Sequence, residues 1–136
     1  MEPKKVNAHL HTPYSFSAFQ DVDDALDRAK REGVEVVGIN DFYTTRGYEE
    51  WAKGCEKRGL YPLFGIEFIA LDKEDQEAGL RVNDPANPGR TYLSGKGLAY
   101  PFRLAEPYVS RLNAVVEEAN RQVEAMCGKL NELLQS

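Results

Sequence analysis

The sequence predicts an α/β fold with parallel strands, followed by one long helix. Residues 5–71 contain three runs of β-branched or aromatic residues, and a helical pattern separates each run from the next. Short connections between such segments are typical of parallel βαβ units. The last third of the chain instead carries an apolar repeat at spacings of three and four residues, which indicates a single long helix.

The first strand and helix occupy residues 5–33. Residues 5–10 favour a short strand that ends at two histidines. Asp21 has the character of a helix N-cap, and Asp24, three residues later, gives an acidic version of the capping box. Apolar residues then recur at helical spacing, and Gly33 is placed to end the helix.

Two further strands follow. Residues 34–39 read VEVVGI and fit a buried strand, which the polar and turn-forming residues 40–47 are expected to break. Residues 48–59 predict a helix closed by a glycine, and residues 61–71, YPLFGIEFIAL, predict the third strand.

The segment after residue 71 changes in character. Residues 72–79 predict a polar turn. Residues 80–85 and 90–95 are expected to pair as a hairpin, because the sequence between them is rich in Asn, Asp, Pro and Gly. This hairpin would be an excursion from the parallel sheet.

The C-terminal third predicts a helix that begins near Pro107. Its apolar seam comprises Val109, Leu112, Val116, Ala119, Val123, Met126, Leu130 and Leu133. The chain therefore divides into an α/β part, 1–103, and an amphipathic helix, 104–136. A seam of this length fits a dimerisation arm or part of an insertion that pairs with another helix, and equally a helix that packs on its own domain.

Composition excludes several classes of protein. The 136 residues carry a net charge of −5 with a pI near 5.1, which argues against a general nucleic-acid or membrane surface. No apolar run approaches the ~20 residues of a membrane-spanning helix. Cys55 and Cys127 form no metal-binding or redox motif, so we expect a cytoplasmic protein and assign Cys55 no nucleophilic role.

Four candidate metal ligands come at the ends of the predicted strands. His9 and His11 close the first strand, Asp41 follows the second, and Glu67 lies in the third. Ligands of parallel sheets bind beyond the carboxyl ends of the strands. Because residues two apart in a strand share a face, both histidines point into one site. Two imidazoles and two carboxylates predict a divalent metal, Zn, Mn or Fe.

Each of these residues also has a plain structural interpretation. Two histidines separated by one residue are more often a surface or core pair than a metal site. Asp41 suits the cap of a turn, and Glu67 suits an ion pair with a lysine. Their occurrence together, at one end of consecutive strands, favours the metal site.

Three segments resemble the opening motifs of the PHP (polymerase and histidinol phosphatase) family. They read VNAHLHTPYSF, ALDRAKREGVEVVGINDF and PLFGIEFIAL. The resemblance implies a distorted (β/α)7 barrel, of which this chain would hold the first three βα units. It also implies a phosphoesterase in which two or three divalent metals activate a water. His9, His11, Asp41 and Glu67 would be ligands, and the substrate would be a small phosphate ester or a nucleotide.

The chain departs from the family pattern in two places. Phe42 stands where the family motif has a histidine, and no histidine follows His11. We therefore expect the N-terminal portion of a longer phosphoesterase, with little activity by itself. The alternative is a degenerate, non-catalytic scaffold or assembly module. An amidohydrolase-type enzyme fits less well, because its later lysine and histidines are missing.

Cationic side chains near the predicted site are candidates for binding the substrate phosphate. Arg46 lies in the loop beside Asp41 and is suited to bidentate phosphate contact, although a solvated loop arginine is the simpler interpretation. Arg90 and Lys96 are weaker candidates. Tyr14 lies within the first motif, where it would line the pocket or serve packing.

Overall fold

A computed structural model of the chain describes residues 2–135. The elements are β1 (Val6–Leu10), α1 (Val22–Arg31), β2 (Val36–Phe42), α2 (Tyr48–Arg58), β3 (Tyr61–Leu71), α3 (Lys73–Glu77), β4 (Arg90–Lys96) and α4 (Tyr108–Gln135). The chain separates into two compact units after Phe102. The division at residue 103 that the sequence suggests for an α/β part and a helical arm stays a prediction.

A four-stranded sheet in the order β1-β2-β3-β4 forms the first unit. The first three strands are parallel, and β4 runs antiparallel along β3. The sheet is curled like half of a barrel, which confirms the predicted α/β class and its place in a TIM-like barrel.

The core lies between one face of the sheet and the helices α1 and α2. Trp51 and Leu26 are fully buried between these helices and the strands. The other buried apolar residues are Val22, Ala25, Ala29, Val34, Val37, Ile39, Tyr48, Cys55, Leu60, Phe64 and Ile66. The opposite face of the sheet carries the polar residues described below.

The ends of α1 and α2 follow the sequence signals. The Asp21 carboxylate accepts a hydrogen bond from the Asp24 backbone N–H at 2.7 Å. The Asp24 carboxylate in turn accepts from the Gln20 N–H at 3.3 Å, one residue earlier than a standard capping box places it. Gly33 and Gly59 adopt φ of +72° and +63° directly after the two helices, as helix-terminating glycines do.

Two boundaries predicted from the sequence are wrong. Strand β2 does not break at residue 39, because its last three residues pair with Gly65, Ile66 and Glu67 of β3 and so continue the ladder to Phe42. Residues 72–79 are not a simple turn. They contain the short helix α3, which the Asp72 carboxylate caps by accepting from the backbone N–H of Asp75.

The predicted hairpin between residues 80–85 and 90–95 is also wrong. Strand β4 pairs with β3, whose length offers an edge of seven residues, from Gly65 to Leu71. The earlier segment forms no strand, and its contacts with β4 come from the side chains of Asn83 and Asp84. The Asn83 carboxamide accepts from the Tyr92 N–H at 2.8 Å and donates to the Tyr92 carbonyl at 3.0 Å, which imitates one rung of a ladder.

Helix α4 has the length that the apolar seam predicts. It has no buried residue, and Val123, Met126 and Leu130 are among its exposed apolar side chains. None of the described helices, α4 included, is long and apolar enough to cross a membrane. The pairing of residues 104–136 in a homodimer stays a prediction.

The two cysteines should differ sharply in reactivity. Burial raises the pKa of the Cys55 thiol to about 12, whereas Cys127 is exposed on α4. Since the thiolate is the reactive form, a maleimide or iodoacetamide should label Cys127 and leave Cys55 intact in the folded protein. Rapid labelling of folded Cys127→Ser protein, before urea is added, would contradict the burial of Cys55.

If α4 pairs through its seam, a charge placed there should separate the protomers. An unpaired carboxylate in an apolar contact costs several kcal/mol, so Val123→Asp should weaken self-association by about a hundredfold. Sedimentation equilibrium measures this, with Glu124→Gln as a neighbouring control outside the seam. A wild-type monomer that Val123→Asp does not change would contradict pairing between copies of this chain.

Candidate metal centre

An irregularity in β1 sets the direction of the first histidine. The ladder advances three residues along β1, from Asn7 to Leu10, while β2 advances only two, from Val37 to Ile39. An extra residue of this kind reverses the alternation of side chains. His9 therefore points to the face of the sheet opposite to the core, while Leu10 packs against the core.

Two side chains and one glycine accommodate this bulge. The His9 N–H donates to the Asn7 carboxamide oxygen at 3.2 Å, and the Lys96 ammonium donates to the Ala8 carbonyl at 2.8 Å. The backbone of Ala8 lies directly over Gly38, where a Cβ would stand 2.6 Å from the Ala8 oxygen. A side chain at residue 38 would therefore displace the bulge and with it His9.

Three of the four predicted ligands converge on this face. The Nε2 atoms of His9 and His11 are 3.2 Å apart, and each lies 3.0 Å from Oε2 of Glu67. Glu67 is almost fully buried, and its carboxylate is brought there by the pairing of β3 with the end of β2. The predicted common orientation of the two histidines is confirmed.

The donor atoms fit a divalent metal. Two imidazole nitrogens and one carboxylate oxygen form a set that suits Zn, Mn or Fe. Ligands about 2.1 Å from one ion are about 3.0 Å apart at octahedral angles and about 3.4 Å apart at tetrahedral angles. The three separations in this cluster lie in that range, so His9, His11 and Glu67 would hold the ion.

Hydrogen bonding alone does not account for the cluster. If Oε2 of Glu67 accepts from both imidazoles, the Nε2 atoms of His9 and His11 are both donors, and they face each other at 3.2 Å. At least one of the three contacts is then repulsive. A shared cation would remove this conflict, because all three atoms would then direct a lone pair at the same ion.

The electrostatic surroundings keep His11 in the form that binds metal. Burial lowers the pKa of His11, and the negative charge of Glu67 only partly opposes this effect. His11 is therefore neutral near neutral pH, with a lone pair available on the ring. Its Nδ1 is buried and has no hydrogen-bond partner among residues 2–135.

Asp41, the fourth predicted ligand, lies outside this cluster. The alternation along β2 places it on the face opposite to Phe42, where it is fully buried. Its Oδ1 accepts from the Thr12 N–H at 2.6 Å and from the Ser15 hydroxyl at 2.7 Å. Its Oδ2 accepts from the Thr12 hydroxyl at 2.6 Å. The carboxylate thereby fixes the turn that follows His11, and its role as a ligand stays a prediction.

Phe42 packs directly on the cluster. Its ring stacks on the His11 imidazole with centroids 4.7 Å apart and an angle of 19° between the planes. The residue pairs with Glu67 across the strands, and so the two side chains share a face. The position at which the family motif has a histidine is thus beside the candidate metal, and an apolar ring fills it.

One polar residue of the site was missed by sequence analysis. Asn40 is fully buried on β2, and its carboxamide lies 3.2 Å from Nε2 of His9 and 3.1 Å from the Ser94 hydroxyl. A signal was present in the sequence. Asn40 precedes Phe42 by two residues, so it shares a face with the position where the motif has a ligand.

The candidate phosphate-binding cations differ in their surroundings. Arg46 is exposed, and its guanidinium lies 5.8 Å from the ring centroid of Tyr14. Arg90 lies 3.6 Å from the Asp84 carboxylate. Lys96 interacts electrostatically with the site. Burial lowers the pKa of its ammonium, and the negative charge of Glu67 partly opposes that shift.

Comparisons with known proteins identify the family and the fold of the chain. A family model of the PHP domain matches residues 7–129. A solved amidohydrolase structure from Chromobacterium violaceum aligns over 90% of this chain and 37% of that one, with a TM-score of 0.64 and 21% sequence identity. At this level of sequence identity the likeness concerns the fold alone.

Relatives in sequence include DNA polymerase III proteins. The DNA polymerase III alpha subunit of Streptococcus pyogenes is 38% identical over 66 residues, which are 48% of this chain and 6% of that subunit. A PolC-type DNA polymerase III of Lacticaseibacillus paracasei is 30% identical over 83 residues, which are 60% of this chain and 6% of that protein. The chain thus matches only a small part of these relatives' length.

Removal of the Asp41 charge should destabilise the fold even without metal. Asp41→Asn replaces one acceptor oxygen by an NH2 group that faces the donors of Thr12 and Ser15. Buried hydrogen bonds to a charged group contribute about 1.5–3 kcal/mol each, so we expect a loss of about 3 kcal/mol in unfolding free energy. Urea denaturation in EDTA measures this, with exposed Glu56→Gln as control.

The same experiment separates support from ligation. A residue that served only as a ligand would affect stability in the presence of metal and not in EDTA. Unchanged stability of Asp41→Asn in EDTA would therefore contradict the structural role of the carboxylate.

Proposed function

The chain belongs to the PHP domain family, and from this membership and the site we propose that it forms the metal-binding part of a phosphoesterase. In this proposal His9, His11 and Glu67 hold at least one divalent ion. The reaction is the hydrolysis of a phosphate ester by water, and the substrate is a small phosphate ester or a nucleotide.

The observation that carries the proposal is the triangle of Nε2, Nε2 and Oε2 atoms. Its contacts of 3.0–3.2 Å cannot all be hydrogen bonds, and they match the spacing of ligands around one ion. A buried carboxylate and two imidazoles outside the apolar core would otherwise be a costly arrangement.

His9, His11 and Glu67 would hold a divalent metal in this place, and that metal would supply a Lewis acid for a phosphoryl oxygen and for a bound water. The protein's own residues supply position. The bulge in β1 directs His9, and Asp41 holds the turn at Thr12 and Ser15 and so fixes the path of the chain after His11. We therefore place Asp41 behind the ligands, as their support.

Phosphate recognition is assigned to two cations, Lys96 and Arg46. The Lys96 ammonium, anchored on the Ala8 carbonyl, lies on the same side of the sheet as Glu67. The exposed Arg46 is the second candidate, as the sequence analysis proposes. Both would balance the negative charge of a phosphate ester next to the metal.

A non-catalytic metal-binding scaffold is the second candidate function. Phe42 favours it, because an apolar ring stacks on His11 at the position where the family motif has a histidine. A reduced ligand set holds metal in fewer positions, and hydrolysis requires the metal, the water and the phosphate in one fixed geometry.

Metal binding and hydrolysis should be measured together. Zn²⁺ or Mn²⁺ is titrated against a chromophoric chelator in wild type, His9→Ala, His11→Ala and Glu67→Gln, with exposed Glu77→Gln as the matched carboxylate control. Each site variant should lose at least tenfold in affinity, and the control should not. Hydrolysis of p-nitrophenyl phosphate and of its diester bis(p-nitrophenyl) phosphate is then followed with either metal, in this chain and in the complete reading frame that encodes it.

The outcomes separate the two candidates. Turnover that requires metal and is lost in His9→Ala supports the phosphoesterase. Tight metal binding without hydrolysis of either ester by either protein supports the scaffold. Metal affinity that is the same in wild type and His9→Ala would overturn the metal site and both candidates with it.

A further inference from the structure

We propose that Asn40 supplies a fourth metal ligand through its carboxamide oxygen. The inference rests on the proposed function, because it concerns the metal that His9, His11 and Glu67 would hold. Asn40 pairs with Gly65 in the sheet, two residues before the pairing of Phe42 with Glu67, and so its side chain lies on the face of the cluster.

The Asn40 carboxamide is fully buried with one end unsatisfied. Its Oδ1 has no hydrogen-bond partner among residues 2–135, although a buried acceptor without a partner is costly. Its Nδ2 meanwhile faces two atoms, Nε2 of His9 at 3.2 Å and Oγ of Ser94 at 3.1 Å. The amide nitrogen thus points toward the cluster and the oxygen points away from it.

A rotation of the carboxamide by 180° exchanges these two atoms. The oxygen then faces the cluster beside the Ser94 hydroxyl, which also lies 3.4 Å from Oε1 of Glu67. The NH2 group takes the present Oδ1 position. That position and the Gly95 carbonyl oxygen lie 2.6 and 2.8 Å from the point where a Cβ on Gly65 would stand. The rotation thus places a donor in a space that now holds two acceptors.

Gly65 provides the space for this side chain. A Cβ at residue 65 would collide with the Asn40 carboxamide and with the Gly95 backbone. The glycine of the FGIEF segment therefore allows a buried asparagine on the neighbouring strand, directly beside His9. Any larger residue would push the amide into the cluster or out of the sheet.

The rotated oxygen completes a set of two nitrogens and two oxygens. It lies at the present Nδ2 position, 3.2 Å from Nε2 of His9, which is close to the other three separations in the cluster. Carboxamide oxygens are established ligands of hard and borderline cations. Asn40 thus compensates, from the same strand face, for the donor that Phe42 lacks.

Metal affinity in variants of Asn40 tests the assignment. Competition with a chromophoric chelator gives Zn²⁺ and Mn²⁺ affinities for wild type, Asn40→Ala and Asn40→Asp. Asn113→Ala is the matched control, since it removes an exposed carboxamide from α4. Asn40→Ala should weaken binding about tenfold or more, and Asn40→Asp, which places an anionic oxygen at the same point, should tighten it about tenfold. The control should change affinity less than twofold.

The contrary results are equally specific. If the amide nitrogen faces His9, it competes with the metal for Nε2, and Asn40→Ala should bind metal as tightly as wild type or more tightly. That result overturns the proposal. Should Asn40→Ala not fold, the isosteric Asn40→Asp decides, and an affinity equal to or below that of wild type overturns the assignment. Wild-type affinity that His9→Ala does not reduce instead overturns the proposed metal site itself.

Discussion

The carboxylate of Glu67 is in contact with two imidazoles at once, and the surrounding structure is arranged to allow this. Glu67 reaches the cluster because β3 pairs with β2 as far as Phe42. His9 reaches it because the bulge in β1 reverses its side chain, and the bulge requires the glycine at residue 38. His11, just beyond the strand, completes the contact. The register of β2 and β3, the bulge in β1 and its close approach to Gly38 therefore all help to bring the three donor atoms together.

The end of β2 serves both faces of the sheet. Asp41 points to the helix side, where its two oxygens receive three hydrogen bonds from the turn after His11. Asn40 and Phe42 point to the other side, one beside His9 and one stacked on His11. A slip of one residue in this strand would turn Asp41 toward the cluster and turn Asn40 and Phe42 away from it. The register of β2 is therefore a functional constraint.

Local signals in the sequence predict much of the fold. The run 61–71 gives β3 its full length, and Asp21 marks the start of α1. The predictions for the end of β2 and for the partner of β4 are wrong because pairing between strands decides both. The polar residues after residue 39 favour a turn by propensity, yet β3 extends them as a strand. The partner of β4 depends on the free edge of β3, which a local hairpin rule does not include.

The sequence predicts part of the site as well. The histidine pair and Glu67 follow from strand ends and alternation, and the structure brings them together. The bulge, the support by Asp41 and the buried Asn40 depend on register, which no single segment specifies.

Anomalous diffraction at the zinc edge, from crystals of this chain grown with Zn²⁺, tests the central claim most directly. We expect a strong peak bonded to Nε2 of His9, Nε2 of His11 and Oε2 of Glu67. Zinc found only at other residues, with these three atoms still in contact with each other, would contradict the metal centre.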